Sequence, residues 1–151
     1  MMRIGVTGSR YPRPNQILDS LRRILIEKGA TELHHGDCLG FDAQAHDLAA
    51  SMGIRTVAHP PQDPRMRAFK DADEIRSPLP YLDRNRNIVA ESEYIVAAPD
   101  GPERVRSGTW ATVRYAKRTR VRGIVLADRT KTDHECVADC VADHPTGHLS
   151  Y

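Results

Sequence analysis

Residues 3–29, RIGVTGSRYPRPNQILDSLRRILIEKG, decide the architecture. RIGVT at 3–7 is a short, mostly apolar run closed by Gly8, the pattern of a strand buried on both faces. After a loop carrying Pro12 and Pro14, apolar residues return at helical spacing. Ile17, Leu18, Leu21, Ile24 and Leu25 share one stripe over 15–28, and Gly29 supplies the C′ stop. A buried strand followed by an amphipathic helix is the opening of a βα unit. The unit recurs downstream, with a weaker strand at 32–35 (ELHH) and a helix over 42–52 on Ala45, Leu48, Ala49 and Met52. Gly53 follows that helix, and a third strand spans 54–58 (IRTVA).

Two further strands are predicted at 94–98 (YIVAA) and 122–127 (RGIVLA), with helices starting near residue 84 and spanning 109–119. Repeated βα units joined by right-handed crossovers predict a Rossmann-like three-layer α/β sandwich. Its sheet should be mainly parallel, with about five strands in the order 3-2-1-4-5. The rhythm breaks once, at 59–83, where HPPQDPRMRAFKDADEIRSPLPYLD holds five prolines. Such an insertion is either a solvated loop or a binding loop. The expected organisation is one Rossmann-like domain over 1–127, carrying that insertion, and a tail over 128–151 made of a short helix and a loose end.

Gross composition narrows the class. A chain of 151 residues supports one core. The 22 basic residues against 20 acidic leave a net charge of +2, too little for nucleic-acid binding by bulk electrostatics. No apolar run approaches the roughly 20 residues of a membrane span, and the N-terminus reads as a strand rather than a signal peptide, so a cytoplasmic protein is expected. Cys38, Cys136 and Cys140 make an odd count, which argues against a disulfide framework.

Four islands sit where strands hand over to loops or helices: GSR at 8–10, GDCLGFD at 36–42, RNRN at 84–87 and RSGT at 106–109. Helix N-termini carry partial positive charge, and Arg10, Arg84, Arg86 and Arg106 add full charges, so together the islands outline a phosphate-sized anion site. In the first, Gly8 and Ser9 precede Arg10, a bidentate clamp for phosphate; the alternative is an ordinary βα turn. In the last, Ser107, Gly108 and Thr109 open a helix, with Ser107 either meeting a ligand or capping its own helix. Helical geometry prevents all four residues of RNRN from facing one ligand; Arg84 and Asn85 are assigned to the site, and Arg86 or Asn87 to neighbouring backbone. Gly36 and Gly40 frame the second island. There Asp42 and His46, four apart, are placed to hydrogen-bond, with Asp42 oriented at a ribose hydroxyl or serving as an N-cap. Asp37 is a second carboxylate near the strand end.

The strings HHGDCLGFDAQAHDLAASMGIRTVAHPP (34–61), YLDRNRNIVAESEYIVAAPDG (81–101) and SGTWATVRYAKR (107–118) resemble, in the same order, segments of the DNA-processing protein A family. The resemblance is to the SLOG superfamily, which also holds the lonely-guy phosphoribohydrolases and small stand-alone Rossmann-like proteins; the chain looks most like the last group. It implies a nucleotide-type ligand and self-association. The lonely-guy motif, Pro-Gly-Gly-x-Gly-Thr-x-x-Glu, is broken here: PERVR separates APDG from SGT, and Thr112 stands at the Glu position. A threonine cannot supply the carboxylate.

The expectation is therefore a binding or sensor module for a nucleotide or nucleotide-derived small molecule, with no cofactor or metal. The alternatives are an N-glycosidase working through Asp37, Asp42 or Glu91, and single-stranded DNA binding, which the 5% aromatic content disfavours. In the tail, Cys136, Cys140, His144 and His148 recur every fourth residue, with His134 upstream. Pro145 and Gly147 interrupt the helix that would align them, so packing rather than zinc is expected. Trp110, Val113 and Tyr115 look like more apolar surface than one sheet face covers, which predicts a homodimer or larger homo-oligomer.

Overall fold

The computed structural model describes residues 1–127 and 149–150. Strands β1 (Met2–Gly8), β2 (Ala30–His35), β3 (Arg55–Ala58), β4 (Glu74–Ile75), β5 (Tyr94–Ala98) and β6 (Arg122–Val125) are joined in parallel, and β7 (Leu149–Ser150) pairs antiparallel with β6. Helices α1 (Asn15–Glu27), α2 (Phe41–Ser51), α3 (Tyr81–Glu91) and α4 (Gly108–Arg118) connect them. The sheet order is β4-β3-β2-β1-β5-β6-β7. The five strands expected from the sequence keep their expected order; β4 and β7 extend the edges. β4 was illegible because two residues carry no periodicity. Its place is set by polar contacts: Asp73 accepts from the Thr56 N–H at 2.9 Å, and Arg55 pairs with Glu74 at 2.8 Å.

Alternation along the strands sorts the core into two layers. Ile4, Val6, Leu33, Val96, Ala98 and Leu126 face Ile17, Leu21 and Leu25 of α1 and Phe41, Ala45 and Ala49 of α2. Ile95 meets Ile88 and Val89 of α3 and Ala116 of α4, while Ala97 and Val125 meet Trp110 and Val113. Each fully buried Leu or Ile is worth about 1.5–3 kcal/mol, so the α1 stripe alone holds that helix down. α1 ends as anticipated, with Gly29 in the left-handed region at φ 61°.

Two expectations about elements change. α3 starts at Tyr81, not near 84, so RNRN lies inside its first turns, with the Arg84 N–H bonded to the Pro80 carbonyl at 2.9 Å. The α4 surface also differs: Trp110 and Val113 are buried within the protomer, and half-buried Tyr115 lies beneath Arg86 and Arg118. α4 therefore leaves no apolar face of the kind that suggested an oligomer. Among the described residues, no helix is long and apolar enough to cross a membrane. The Cys136–Cys140–His144–His148 spacing and the expected tail helix lie outside the described residues.

Candidate functional site

Strand order reverses direction between β1 and β5, and in open parallel sheets ligands bind in the crevice beyond the strand ends at such a point. A pocket of about 470 Å³ occupies that position. From the loop after β1 it takes Gly8, Ser9 and Arg10. Gly36 and Asp42 come from the β2–α2 junction, Arg84 and Asn85 from α3, and Ser107, Gly108 and Thr109 from the start of α4. The four islands thus meet in one crevice. Of the site candidates named from the sequence, Asp37, Gly40, His46, Arg86, Asn87 and Glu91 are absent from its lining.

The cations divide into two kinds. Arg84 is only 5% exposed, and its guanidinium donates to the carbonyls of Gly36 and His59 (3.1 Å) and to Asn85 Oδ1 (2.7 Å). It is a strut tying α3 to the ends of β2 and β3, rather than a free clamp. The backbone-anchoring role assigned to Arg86 or Asn87 belongs to Arg84, and both of those residues are exposed because they sit on the outer face of α3. Gly36 is required here, since a Cβ would lie 2.5 Å from Arg84 Nη1. Arg10 and Arg106, by contrast, are exposed at the pocket and have no carboxylate partner among the described residues. Arg104 also lines it, paired with Asp100 at 3.2 Å.

At α4 the Ser107 hydroxyl accepts from the Trp110 N–H at 3.3 Å, a side-chain cap. The first N–H groups of a helix have no intrahelical acceptor, so Gly108 and Thr109 present backbone donors while the Ser107 side chain is occupied. Thr112 is buried and donates to the Gly108 carbonyl at 2.9 Å, so it does not enter the pocket.

The carboxylates are rearranged relative to the sequence reading. Asp42 does not bond His46. It accepts from the N–H groups of Gly36 (3.1 Å) and Cys38 (3.3 Å) within the β2–α2 loop, and α2 is capped at Gly40 instead. Gly40 has φ 88°, and a Cβ there would strike the backbone of Ser9 and Arg10, which the loop crosses. Burial pushes the Asp42 carboxyl up to about 6; Arg84 and the two N–H groups oppose that shift. His46 pairs with His35 at 3.1 Å. Burial, with His46 nearby, lowers His35 to about 3 and keeps it neutral. Its Nδ1 accepts the Asp37 N–H at 3.0 Å, so the proton sits on Nε2 and is given to His46 Nδ1.

Asp37 is fully buried and turned away from the pocket. Its carboxylate takes Arg67 Nε at 2.6 Å and the Lys70 N–H at 2.9 Å, stapling the 59–83 insertion to the β2–α2 loop. Glu91 lies at the far end of α3, held by Arg76 at 2.7 Å and facing His59 at 3.2 Å. Neither lies beside Asp42 in the crevice.

The sequence reading missed Asp100, Tyr11, Tyr81, Leu82, Met66 and Cys38, all of which line the pocket. Asp100 was findable, because it follows the C-terminal end of a strand, where such sheets place their ligands. Met66 was not, because only the folded insertion brings it there. Burial pushes the Cys38 thiol up to about 11, which leaves it a poor nucleophile at neutral pH.

Several solved structures share this topology. The molybdenum cofactor binding protein from Rippkaea orientalis aligns with a TM-score of 0.65 at 21% identity, over 85% of this chain and 77% of that one. The Moco carrier protein from Chlamydomonas reinhardtii gives 0.64 at 23% identity, over 91% and 83%. DNA processing protein A from Streptococcus pneumoniae gives 0.65 at 18% identity, over 88% of this chain but 52% of the larger protein. The chain shares the Rossmann-like α/β fold of these structures. No protein-family model and no curated protein matches the chain. At these identities the likeness extends to the fold alone, and the chemistry of this pocket rests on its own residues.

Proposed function

We propose that the crevice binds a nucleotide or nucleotide-derived small molecule through its phosphate, making the protein a binding or sensor module. One observation carries this reading: Arg10, Arg106 and the N-terminus of α4 converge on a single pocket of ligand size. At the mouth, Tyr11 (64% exposed), Tyr81 and Leu82 offer flat apolar surface for a planar ring. One neighbour is named for a molybdenum cofactor, and a structure of DNA processing protein A from Helicobacter pylori for single-stranded DNA binding, ligands that carry phosphate. With Trp110 and Val113 packed inward, the ground for self-association in α4 is gone, and the exposed rings at the mouth are better matched to ligand.

A glycosidase reading is supported by one feature, the two carboxylates Asp42 and Asp100 in the same pocket. An acid with pKa near 6 can donate a proton to a leaving base. Against it stand the diversion of Asp37 and Glu91 into ion pairs and the Thr112 substitution. The test incubates the protein with a panel of nucleoside monophosphates, measuring binding by calorimetry and free-base release on the same samples. Binding without release is the expected result. Release abolished by Asp42→Asn would establish the glycosidase, and preference for an oligonucleotide over every mononucleotide would establish strand binding.

A further inference from the structure

The α3-facing side of β2 and β3 carries polar residues where the rest of that face is apolar. His34 and His59 are both buried there, 2.9 Å apart between Nδ1 and Nε2, and Glu91 Oε2 lies 3.2 Å from the same His59 nitrogen. One ligand atom from each of the three residues lies within 4.8 Å of the others. Bonds of about 2.0 Å to a tetrahedral ion set ligand atoms about 3.3 Å apart, close to the 2.9 and 3.2 Å contacts at His59. The second nitrogen of His34 is engaged with Glu32 at 2.9 Å. That carboxylate fixes Nε2 as the protonated nitrogen and turns the Nδ1 lone pair toward His59, the carboxylate–histidine arrangement that orients metal-bound imidazoles.

We propose that His34 Nδ1, His59 Nε2 and the Glu91 carboxylate form a binding site for a divalent transition-metal ion of the zinc class, with the remaining position open to solvent. Two imidazoles and one carboxylate suit zinc rather than magnesium or calcium, which prefer oxygen. With lone pairs on His34 Nδ1 and Glu91 Oε2, the contacts at His59 Nε2 place that ring's proton there; metal binding at Nε2 shifts the proton to Nδ1, and the ring binds as a neutral imidazole. The charges around the site are Glu32, Glu74 and Glu91 against Arg55, Arg76 and Arg84, which balance, so an ion's charge is met by the carboxylates nearest the ligand nitrogens, Glu91 and Glu32. Arg76 grips Glu91 chiefly through Oε1, at 2.7 Å, so Oε2 remains turned to the histidines. Glu91 is 36% exposed, which gives an ion its route in.

The ion would staple the end of β3 to α3. The His59 carbonyl accepts from Arg84, so the same residue joins this site to the strut beneath the crevice. The cluster is not readable from local spacing, because its three members are brought together only by sheet register and the α3 crossover.

The full-length protein, stripped with chelator, is titrated with Zn²⁺ against a chromophoric competitor, and separately with Co²⁺. The expected result is one equivalent bound, with visible cobalt bands of a tetrahedral nitrogen–oxygen site and no thiolate charge-transfer band. His59→Gln and Glu91→Gln should each weaken Zn²⁺ affinity by about a hundredfold or more, and Glu32→Gln, which acts on the site through the His34 ring, by about tenfold. Glu91→Gln lies on a half-exposed helix end and keeps the readout valid if His59→Gln misfolds. A Cys136→Ser/Cys140→Ser background should bind as wild type. Absence of binding, a thiolate–cobalt band lost in that background, or affinity unchanged in Glu91→Gln would each overturn the site.

Discussion

Arg10 and Arg84 look alike in the sequence, yet the fold uses them for different ends. Arg10 is exposed at the pocket, so Arg10→Ala should weaken nucleoside monophosphate binding by about 1.5–3 kcal/mol, roughly ten- to a hundredfold by calorimetry, with the urea midpoint unmoved. Arg84→Ala removes a buried cation bonded to two carbonyls and opposite Asp42, and should cost about 3 kcal/mol of stability in urea denaturation. Asp42 sets the pH response. Its folded-state pKa, about 6, exceeds the ordinary 3.8, so the folded protein holds a proton that the unfolded chain releases. The stability this contributes is present in acid and is lost as pH rises through about 6. In the same window the crevice gains a negative charge. Sulfate, whose own charge is constant there, should bind more tightly as pH falls from 7 to 5.5, and Asp42→Asn should flatten that slope in calorimetric titrations. Residue chemistry was legible where a side chain's job follows from its neighbours in sequence, as for the α4 start. It was not legible for Asp37, whose partners come from the insertion, or for Asp42, which turns back onto the N–H groups of its own loop with Arg84 of α3 nearby.

At the level of elements, the insertion is the least regular piece and the most tied down. Besides the Asp37–Arg67 pair, the Leu39 N–H reaches the Met66 carbonyl at 2.9 Å and the Ala68 N–H reaches the Asp37 carbonyl at 2.7 Å. Asp37→Asn weakens the charge-assisted anchor. Limited proteolysis should then cut within 63–72 faster than in wild type, while far-ultraviolet circular dichroism stays unchanged. α4 offers a contrast in two hydroxyls. Ser107→Ala deletes its cap and should cost about 1 kcal/mol in thermal or urea unfolding. Thr112→Ala, which removes only a bond back to Gly108, should leave nucleotide binding intact by calorimetry. Long amphipathic helices were legible because their periodicity repeats over three turns. β4 and the insertion's contacts were not, since they depend on single polar pairs distant in sequence.

For the molecule as a whole, the strand order could be anticipated because right-handed crossovers and two layers of helices leave few arrangements. The edges escaped that logic. The order has a kinetic corollary. β1 lies at the centre, yet its partner β5 is far along the chain: Arg3 and Glu93, which bond across their ends, are 90 residues apart. Closing that seam requires most of the chain to be in place, and non-local pairing of this kind is slow. The crevice straddles the same seam, so it cannot exist in any species that has only β1 to β3 assembled. Trp110, the sole tryptophan, sits beside it with its indole N–H on the Gly101 carbonyl at 3.2 Å. Its fluorescence during refolding therefore reports the final closure, and a nucleotide added at the start should leave the rate of that phase unchanged while slowing unfolding.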